Sequence, residues 1–498
     1  MFQRTKRKPA FPFNLLHYIQ IARDLLHSFH MDEILTPDYI EINRTGGASR
    51  TGSSRPLADN ATVQISGAKN EVLGAMCAAI LTDEPVIFNN VPFITDVLDM
   101  CEIMREIGVK IEYNPQQRQL KLHAKKILTN TLPDNALNFR ASYYIWGAIL
   151  ARFQKTGEFK SLKIKIPGGD VFGGIRAINY HTDLIKNIFG ADLIESADNL
   201  EFVIPEKLAS APAASAAPTE CPIYSTLQVS HGATFHWLLS VALSSHLKMM
   251  YNASLEFEVA HLVGILNKMG ATIRGTNTTA ITNLGFNGHL LKGGEFDILP
   301  DRMETGFYAL LAMALKSKIK LLGTDAPSCR PWLNSVIEIA GTACCRIEND
   351  SMTFDFTKLS EFDGRNYIMS PIPGKETDMQ QLWTPILATA RTPSKIYDPV
   401  WAGRIGHLPE MEKFGLKLEH RTVRINNSVA LQAAEITIHP SRLHAANVTG
   451  MDIRGTAGLI ICAVMASGST SRINNPKFAL RGYPNLIQNL KNIGIDVK

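Results

Sequence analysis

The chain has 498 residues, of which 45% are hydrophobic and 19% charged, with 51 Lys+Arg against 46 Asp+Glu. This balance excludes a disordered, collagen-like or small disulfide-stapled protein, and the length predicts two to four domains at about 150 residues each. Net charge is +5, but the excess gathers near the start, where Arg4, Lys6, Arg7, Lys8 and Arg23 face Asp24. The remainder is nearly neutral, which argues against a basic nucleic-acid-binding face.

In chain order, the RTKRK run leads into a helix-like stretch of Leu15, Leu16, Ile19, Leu25, Leu26 and Phe29, interrupted by Gln20, Arg23 and Asp24. A secretory segment would be uninterrupted. Residues 1–38 are therefore expected to form a poorly ordered extension, with Met31 as an alternative first residue, or a helix lying on a membrane surface or partner. Residues 44–60 and 206–222, rich in Gly, Ser, Ala and Pro, read as surface insertions or linkers. The most apolar run, Ala233 to Tyr251, carries His236, His246 and Lys248 and reads as a core helix rather than a membrane span. The seven cysteines, at 77, 101, 221, 329, 344, 345 and 462, show neither CxxC spacing nor a His-rich cluster, and read as free cytosolic thiols with no zinc site.

A helical apolar pattern that ends in glycine and runs into a short strand recurs at Gly108, Gly190, Gly270, Gly341, Gly415 and Gly494. Glycine suits a helix end that turns through the left-handed region. Regular spacing of these units predicts an α/β protein built by duplication, with strands on both sides of each helix.

The segment TVQISGAKNEVLGAM predicts a strand, a turn, and a helix opening at Lys69 and Asn70. An ammonium beside free helix N–H groups is a place to hold an anion. Arg140, Arg176, Arg404 and Arg481 each sit where a loop meets an apolar element, positions from which a guanidinium can fork onto carboxylate or phosphate.

These strings, together with RASYY (140–144), PGGD and the following Arg and His (167–181), GAT (232–234), LPDRMETG (299–306), TDMQ (377–380), GRIGHLPEM (403–411), DIRGTAG (452–458) and RGY (481–483), resemble the UDP-N-acetylglucosamine 1-carboxyvinyltransferases, which are enolpyruvyl transferases. The resemblance runs in the family's order from about residue 60 to the end. It implies a two-domain inside-out α/β barrel of six repeats, with residues 39–68 and 300–498 in one domain, 69–299 in the other, and substrates in the cleft. It also implies transfer of the enolpyruvyl group of phosphoenolpyruvate to the 3′-hydroxyl of UDP-N-acetylglucosamine, early in peptidoglycan synthesis in the cytoplasm, without metal or organic cofactor.

By the same match, Asp378 takes the position of the base. Lys69, Arg176, Arg404, Arg454 and Arg481 take the phosphoenolpyruvate positions, and Asp452 that of a further active-site carboxylate. Asn70, Arg140 and the loop Ser230, His231 and Gly232 match contacts to the nucleotide sugar. Asp378, followed by MQQLWTPIL, also reads as a helix N-cap.

Three departures stand out. Asp170 follows Pro-Gly-Gly where most relatives carry the acid cysteine, and one extra residue beyond it would alternatively align Val171 there. A carboxyl with a raised pKa can also deliver a proton. The family's Arg-Pro-(Ile/Val)-Asp-x-His becomes Arg176-Ala-Ile-Asn-Tyr-His181, altering the stretch that meets uracil, and Ser-Val-Gly-Ala-Thr becomes Ser230-His231-Gly232-Ala233-Thr234. Alternatives to the family's reaction are therefore another nucleotide or nucleoside as acceptor, or a silent nucleotide-sugar-binding regulator. The retained phosphate cage argues against the regulator, the match to the UDP-sugar branch against shikimate 3-phosphate, and the neutral body against an RNA-end-processing enzyme.

Overall fold

The computed structural model describes residues 37–43, 56–138, 140–165, 179–196, 199–205, 223–425, 432–468 and 470–498. The N-terminal stretch up to residue 36, Cys221, the insertion 206–222, Asp170 and Arg176 lie outside these described residues.

The segment opened by SGAKN forms the helix Lys69–Ala78 (α1), buried on every side apart from Asn70. Such a helix needs protein all around it. The same pattern recurs in Tyr143–Thr156 (α2), His231–Val241 (α3), Arg302–Ala314 (α4), Gln380–Leu387 (α5) and Ile453–Met465 (α6). The first three pack against one another, as do the last three. A second set of helices is buried on one face only, as in Asn179–Phe189, where His181, Leu184, Ile185, Ile188 and Phe189 follow the helical period.

Six small sheets surround these helices among the described residues. In five of them a parallel strand pair joins an antiparallel run, for example Thr62–Gln64 beside Lys318–Leu322, which in turn pairs with Ser351–Asp355. In the sixth, a parallel bridge from Thr131 to Lys163 stands in place of the parallel strand. The expected α/β architecture of repeated units is therefore present. Its glycines all have positive φ, at 106°, 59°, 111°, 80°, 92° and 93° for Gly108, Gly190, Gly270, Gly341, Gly415 and Gly494. Only glycine enters that region without a Cβ penalty.

The apolar core divides into two clusters. One runs from Ala68 to Ile298, and the other joins Ile40–Ile65 to Met303–Val497. We call these the first and second lobes. The chain passes between them twice, and the two passages pair as an antiparallel ribbon. Gly67 bridges Pro300, Ala68 N–H donates to Leu299 O at 2.7 Å, and Asp301 N–H donates to Ser66 O at 2.8 Å. A Cβ on Gly67 would fall 1.7 Å from Asn90 O. The carbonyl is backbone and cannot rotate away, so Gly67→Ala is expected to destabilise the chain by about 1–3 kcal/mol in denaturant titrations; an unchanged midpoint would contradict it.

Two expectations need correction. Ala233–Tyr251 is not one helix, since α3 ends at Val241 and a strand, Lys248–Tyr251, follows. No helix among the described residues is long and apolar enough to cross a membrane. The end of the expected 44–60 insertion belongs to the second lobe, because Leu57 is buried and donates its N–H to Ser317 Oγ at 3.0 Å, and Ala58 N–H donates to Ile493 O.

Candidate active site

The paired passages bring two helix starts together. Asp301 caps α4, its Oδ1 accepting from Met303 and Glu304 N–H at 2.7 and 2.9 Å, while Oδ2 accepts from Lys69 N–H at 3.2 Å. One carboxylate thus serves the amino ends of a helix from each lobe, where partial positive charge accumulates. Beside it, Glu304 accepts from Ser66 N–H at 2.9 Å and Ser66 Oγ at 2.5 Å, and burial pushes its carboxyl up to about 8.

Lys69 does not present a free ammonium. Its Nζ lies 2.6 Å from Asp96 Oδ2, and Arg481 Nε, reaching over from the second lobe, donates to Asp96 Oδ1 at 2.7 Å. Burial would raise the Asp96 carboxyl, but Arg481 and Lys69 outweigh it and hold the group at about 2. The Lys69 ammonium is lowered, by burial first and then by the charges of Arg481 and Arg454, with Asp96 opposing.

Asp378 lies in the short turn Thr377–Met379 just before α5. Its Oδ1 accepts from Arg404 Nη1, and Oδ2 lies 3.7 Å from Arg454 Nε. The expected N-cap role fails: Met379 occupies the cap position of α5, with no side-chain cap bond. Two neighbours hold the arrangement. Asp398 accepts from Thr377 Oγ1 at 2.5 Å and from Val400 and Trp401 N–H, while the Arg404 guanidinium stacks on the Trp401 ring at 4.2 Å. Arg454 is the second residue of α6, under the cap of Asp452, whose Oδ1 accepts from Arg454 and Gly455 N–H at 3.0 and 2.8 Å. Its guanidinium faces the Tyr483 ring at 5.2 Å.

Lys69, Arg481, Arg404, Arg454 and Asp378 thus form one cluster spanning both lobes, with Asp452 at its edge. Asn70 is half-buried at the second position of α1. Ser230 spends its hydroxyl on capping α3, accepting from Ala233 N–H at 3.2 Å. Gly232 packs against the Tyr143 hydroxyl, which lies 2.9 Å from where a Cβ would stand. Arg140 begins the turn that leads into α2; its side chain, like Asp170 and Arg176, is outside the described residues. His181, the last residue of the altered RAINYH stretch, is buried, stacks on Tyr143 at 3.6 Å, and places Nδ1 2.9 Å from His236 Nδ1. Burial lowers His236 to about 3, so that ring is neutral.

Sequence reasoning missed several groups. Asp96 carries no signal beyond an acidic residue in a helix's first turn, which many helices show. Arg302 lies inside the quoted LPDRMETG string, yet its partners Glu256, Glu258 and Glu376 are scattered through the chain. His407, within GRIGHLPEM, is buried with neither ring nitrogen hydrogen-bonded among the described residues, and burial lowers it to about 4.

Residues 56–490 match the family described as EPSP synthase (3-phosphoshikimate 1-carboxyvinyltransferase). The chain is 31% identical over 440 residues to UDP-N-acetylglucosamine 1-carboxyvinyltransferase 2 of Lactococcus lactis subsp. lactis, covering 88% of this chain and 96% of that protein. It is 29% identical over 437 residues to UDP-N-acetylglucosamine 1-carboxyvinyltransferase 1 of Streptococcus agalactiae serotype Ia, with the same coverage of 88% and 96%. In fold it is similar to the enolpyruvyl transferase NikO from Streptomyces tendae, with a TM-score of 0.73 at 19% identity over 92% of this chain and 98% of that one. EPSP synthase from Acinetobacter baumannii gives a TM-score of 0.60 at 12% identity over 92% and 99%. With the six-unit α/β architecture and a match covering most of its length, the chain belongs to the EPSP synthase family of enolpyruvyl transferases.

Proposed function

We propose that this chain transfers the enolpyruvyl group of phosphoenolpyruvate to the 3′-hydroxyl of UDP-N-acetylglucosamine, the step that commits the sugar nucleotide to peptidoglycan. The observation that carries the reading is the cross-lobe cluster in which Lys69 and Arg481 meet on Asp96 while Arg404 and Arg454 meet on Asp378. Fixed cations in a partly dehydrated cleft suit the phosphate and carboxylate of phosphoenolpyruvate. Asp378 takes the hydroxyl proton as the sugar oxygen attacks C2, and the acid at Asp170 delivers a proton to C3. The tetrahedral adduct then expels phosphate and loses a C3 proton to restore the double bond. Approach of the lobes excludes water from these carbons.

The relatives near 30% identity support the sugar-nucleotide acceptor. A second reading, another nucleotide or nucleoside as acceptor, is favoured by His181, which is spent on a buried contact with His236 and Tyr143. Phosphate release from phosphoenolpyruvate with UDP-N-acetylglucosamine, with UMP, or with no acceptor separates the two. Release with the sugar nucleotide alone supports the first reading, and release with UMP alone overturns it.

Asp170 adds a second test. A carboxylate is a harder and weaker nucleophile than the thiolate that the epoxide fosfomycin alkylates in cysteine-bearing relatives. The enzyme is expected to stay active in fosfomycin, with Asp170→Cys gaining a covalent adduct by mass spectrometry and Asp170→Ala losing activity. An adduct on the parent protein, or full activity in Asp170→Ala, would show that Asp170 is not the acid.

A further inference from the structure

Arg302, the first residue of α4, is 4% exposed and turns each guanidinium nitrogen to a different carboxylate. Nε lies 2.9 Å from Glu258 Oε1, Nη2 lies 3.8 Å from Glu256 Oε2, and Nη1 meets Glu376 Oε1. Glu256 and Glu258, at the start of the helix Phe257–Lys268, belong to the first lobe; Arg302 and Glu376 belong to the second. A single cation therefore ties the lobes together but leaves two of the three carboxylate charges uncompensated in a largely buried place. Burying surplus charge is costly unless a further partner supplies the opposite sign.

The other charged groups nearby are already engaged. Asp301 caps α4 and adds negative charge, and Asp378 is held by Arg404 and Arg454. Among the described residues the remaining titratable neighbour is His231, first residue of α3. Its Nδ1 lies 2.5 Å from Glu256 Oε2, on the same oxygen that faces Arg302, and its ring packs on Phe235 at 4.3 Å. Tyr143 closes the loop from the other side through Gly232. Where the resembling motif has valine, no charge could be supplied.

We propose that His231, as a cation, is a positioning residue: with Arg302 it offsets two of the three charges on Glu256, Glu258 and Glu376, and so fixes the turn that carries Asp378. Glu376 stands two residues before Asp378 and is the residue from which the turn Thr377–Met379 starts. Burial lowers the imidazole, but Glu256 and Glu258 outweigh burial and Arg302, so the net shift is upward. A histidine raised in the folded state stabilises fully below its unfolded pKa, about 6.5, and loses that contribution as pH rises through the folded value.

The proposal rests on Asp378 as the base, and the test separates the two. Phosphate release is followed from about pH 6 to 9 in the parent, His231→Val and His231→Lys. With UDP-N-acetylglucosamine the parent's kcat is expected to fall on the alkaline side. In His231→Val that limb should vanish, with kcat about tenfold lower at pH 6 and KM for phosphoenolpyruvate within about threefold. His231→Lys, charged throughout, should keep most of the rate up to pH 9. An unchanged profile in His231→Val, or no advantage of Lys over Val, overturns the proposal. Should the parent release no phosphate with this acceptor, the functional reading fails instead, and NMR titration of the free protein decides about His231. Its imidazole should titrate above a free histidine and drop in Glu256→Gln; a normal value unaffected by Glu256→Gln overturns the pairing.

Discussion

Asp378→Asn is expected to lower kcat by about a hundredfold or more, within the usual range for loss of a general base. A carboxamide fills the same space but cannot accept the hydroxyl proton. It also leaves the guanidinium groups of Arg404 and Arg454 without the charge that now holds both. Substrate anions can take over part of that compensation, so binding of the sugar nucleotide by calorimetry should stay within a few fold. Turnover within tenfold of the parent would remove Asp378 from the base position and leave the cation cluster as a binding feature only.

The largest stability effect is expected at Arg302. Arg302→Met keeps much of the stem that packs near Trp332, whose Nε1–H donates to Arg302 O at 3.1 Å, but removes the charge that faces Glu256, Glu258 and Glu376. Breaking a buried pair by deleting one partner costs about 3–5 kcal/mol, because the other side keeps its desolvation penalty. The loss should be largest at neutral pH and shrink in mild acid, where the stranded carboxyls take up protons and no longer carry charge. Urea titration at both pH values checks this. A loss under about 1 kcal/mol at neutral pH, or one that grows on acidification, would show that the cluster is solvated and contributes little.

The repeat was readable because its signal is local. Each unit ends a helix at a glycine with positive φ, and a single residue type announces that backbone state. The cations of the site were readable for a related reason: Lys69 and Arg454 sit in short strings at helix starts, and Arg404 and Arg481 in short strings at turns. The carboxylates that partner Lys69, Arg481 and Arg302 were not. Asp96 lies 385 positions from Arg481, its hydrogen-bond donor, and Glu258 lies 44 from Arg302. Spacing of that kind leaves no periodic trace in the chain, since the pairing depends on how units of separate lobes meet. Asp378 went the other way. Its position before an apolar helix is what an N-cap predicts, yet tertiary charge from Arg404 draws the carboxylate off the helix end.

The route of the chain between the lobes bears on the order in which the protein can be made. The strand Tyr39–Asn43 pairs with Thr470–Asn474 and Asp496–Val497, and Asn43 Oδ1 accepts from Thr470 Oγ1 across 427 positions. During synthesis that early strand emerges with no partner and an open edge, and it waits for almost the whole chain to follow. The core from Ala68 to Ile298 is contiguous and complete well before the last strands leave the ribosome. Long-range pairing of this kind is slow, and an unpaired edge is exposed to other chains while it waits. The meeting of Tyr39–Asn43 with Asp496–Val497 in one sheet also makes this enzyme a natural subject for circular permutation, with new ends placed so that the waiting strand is translated beside its partners.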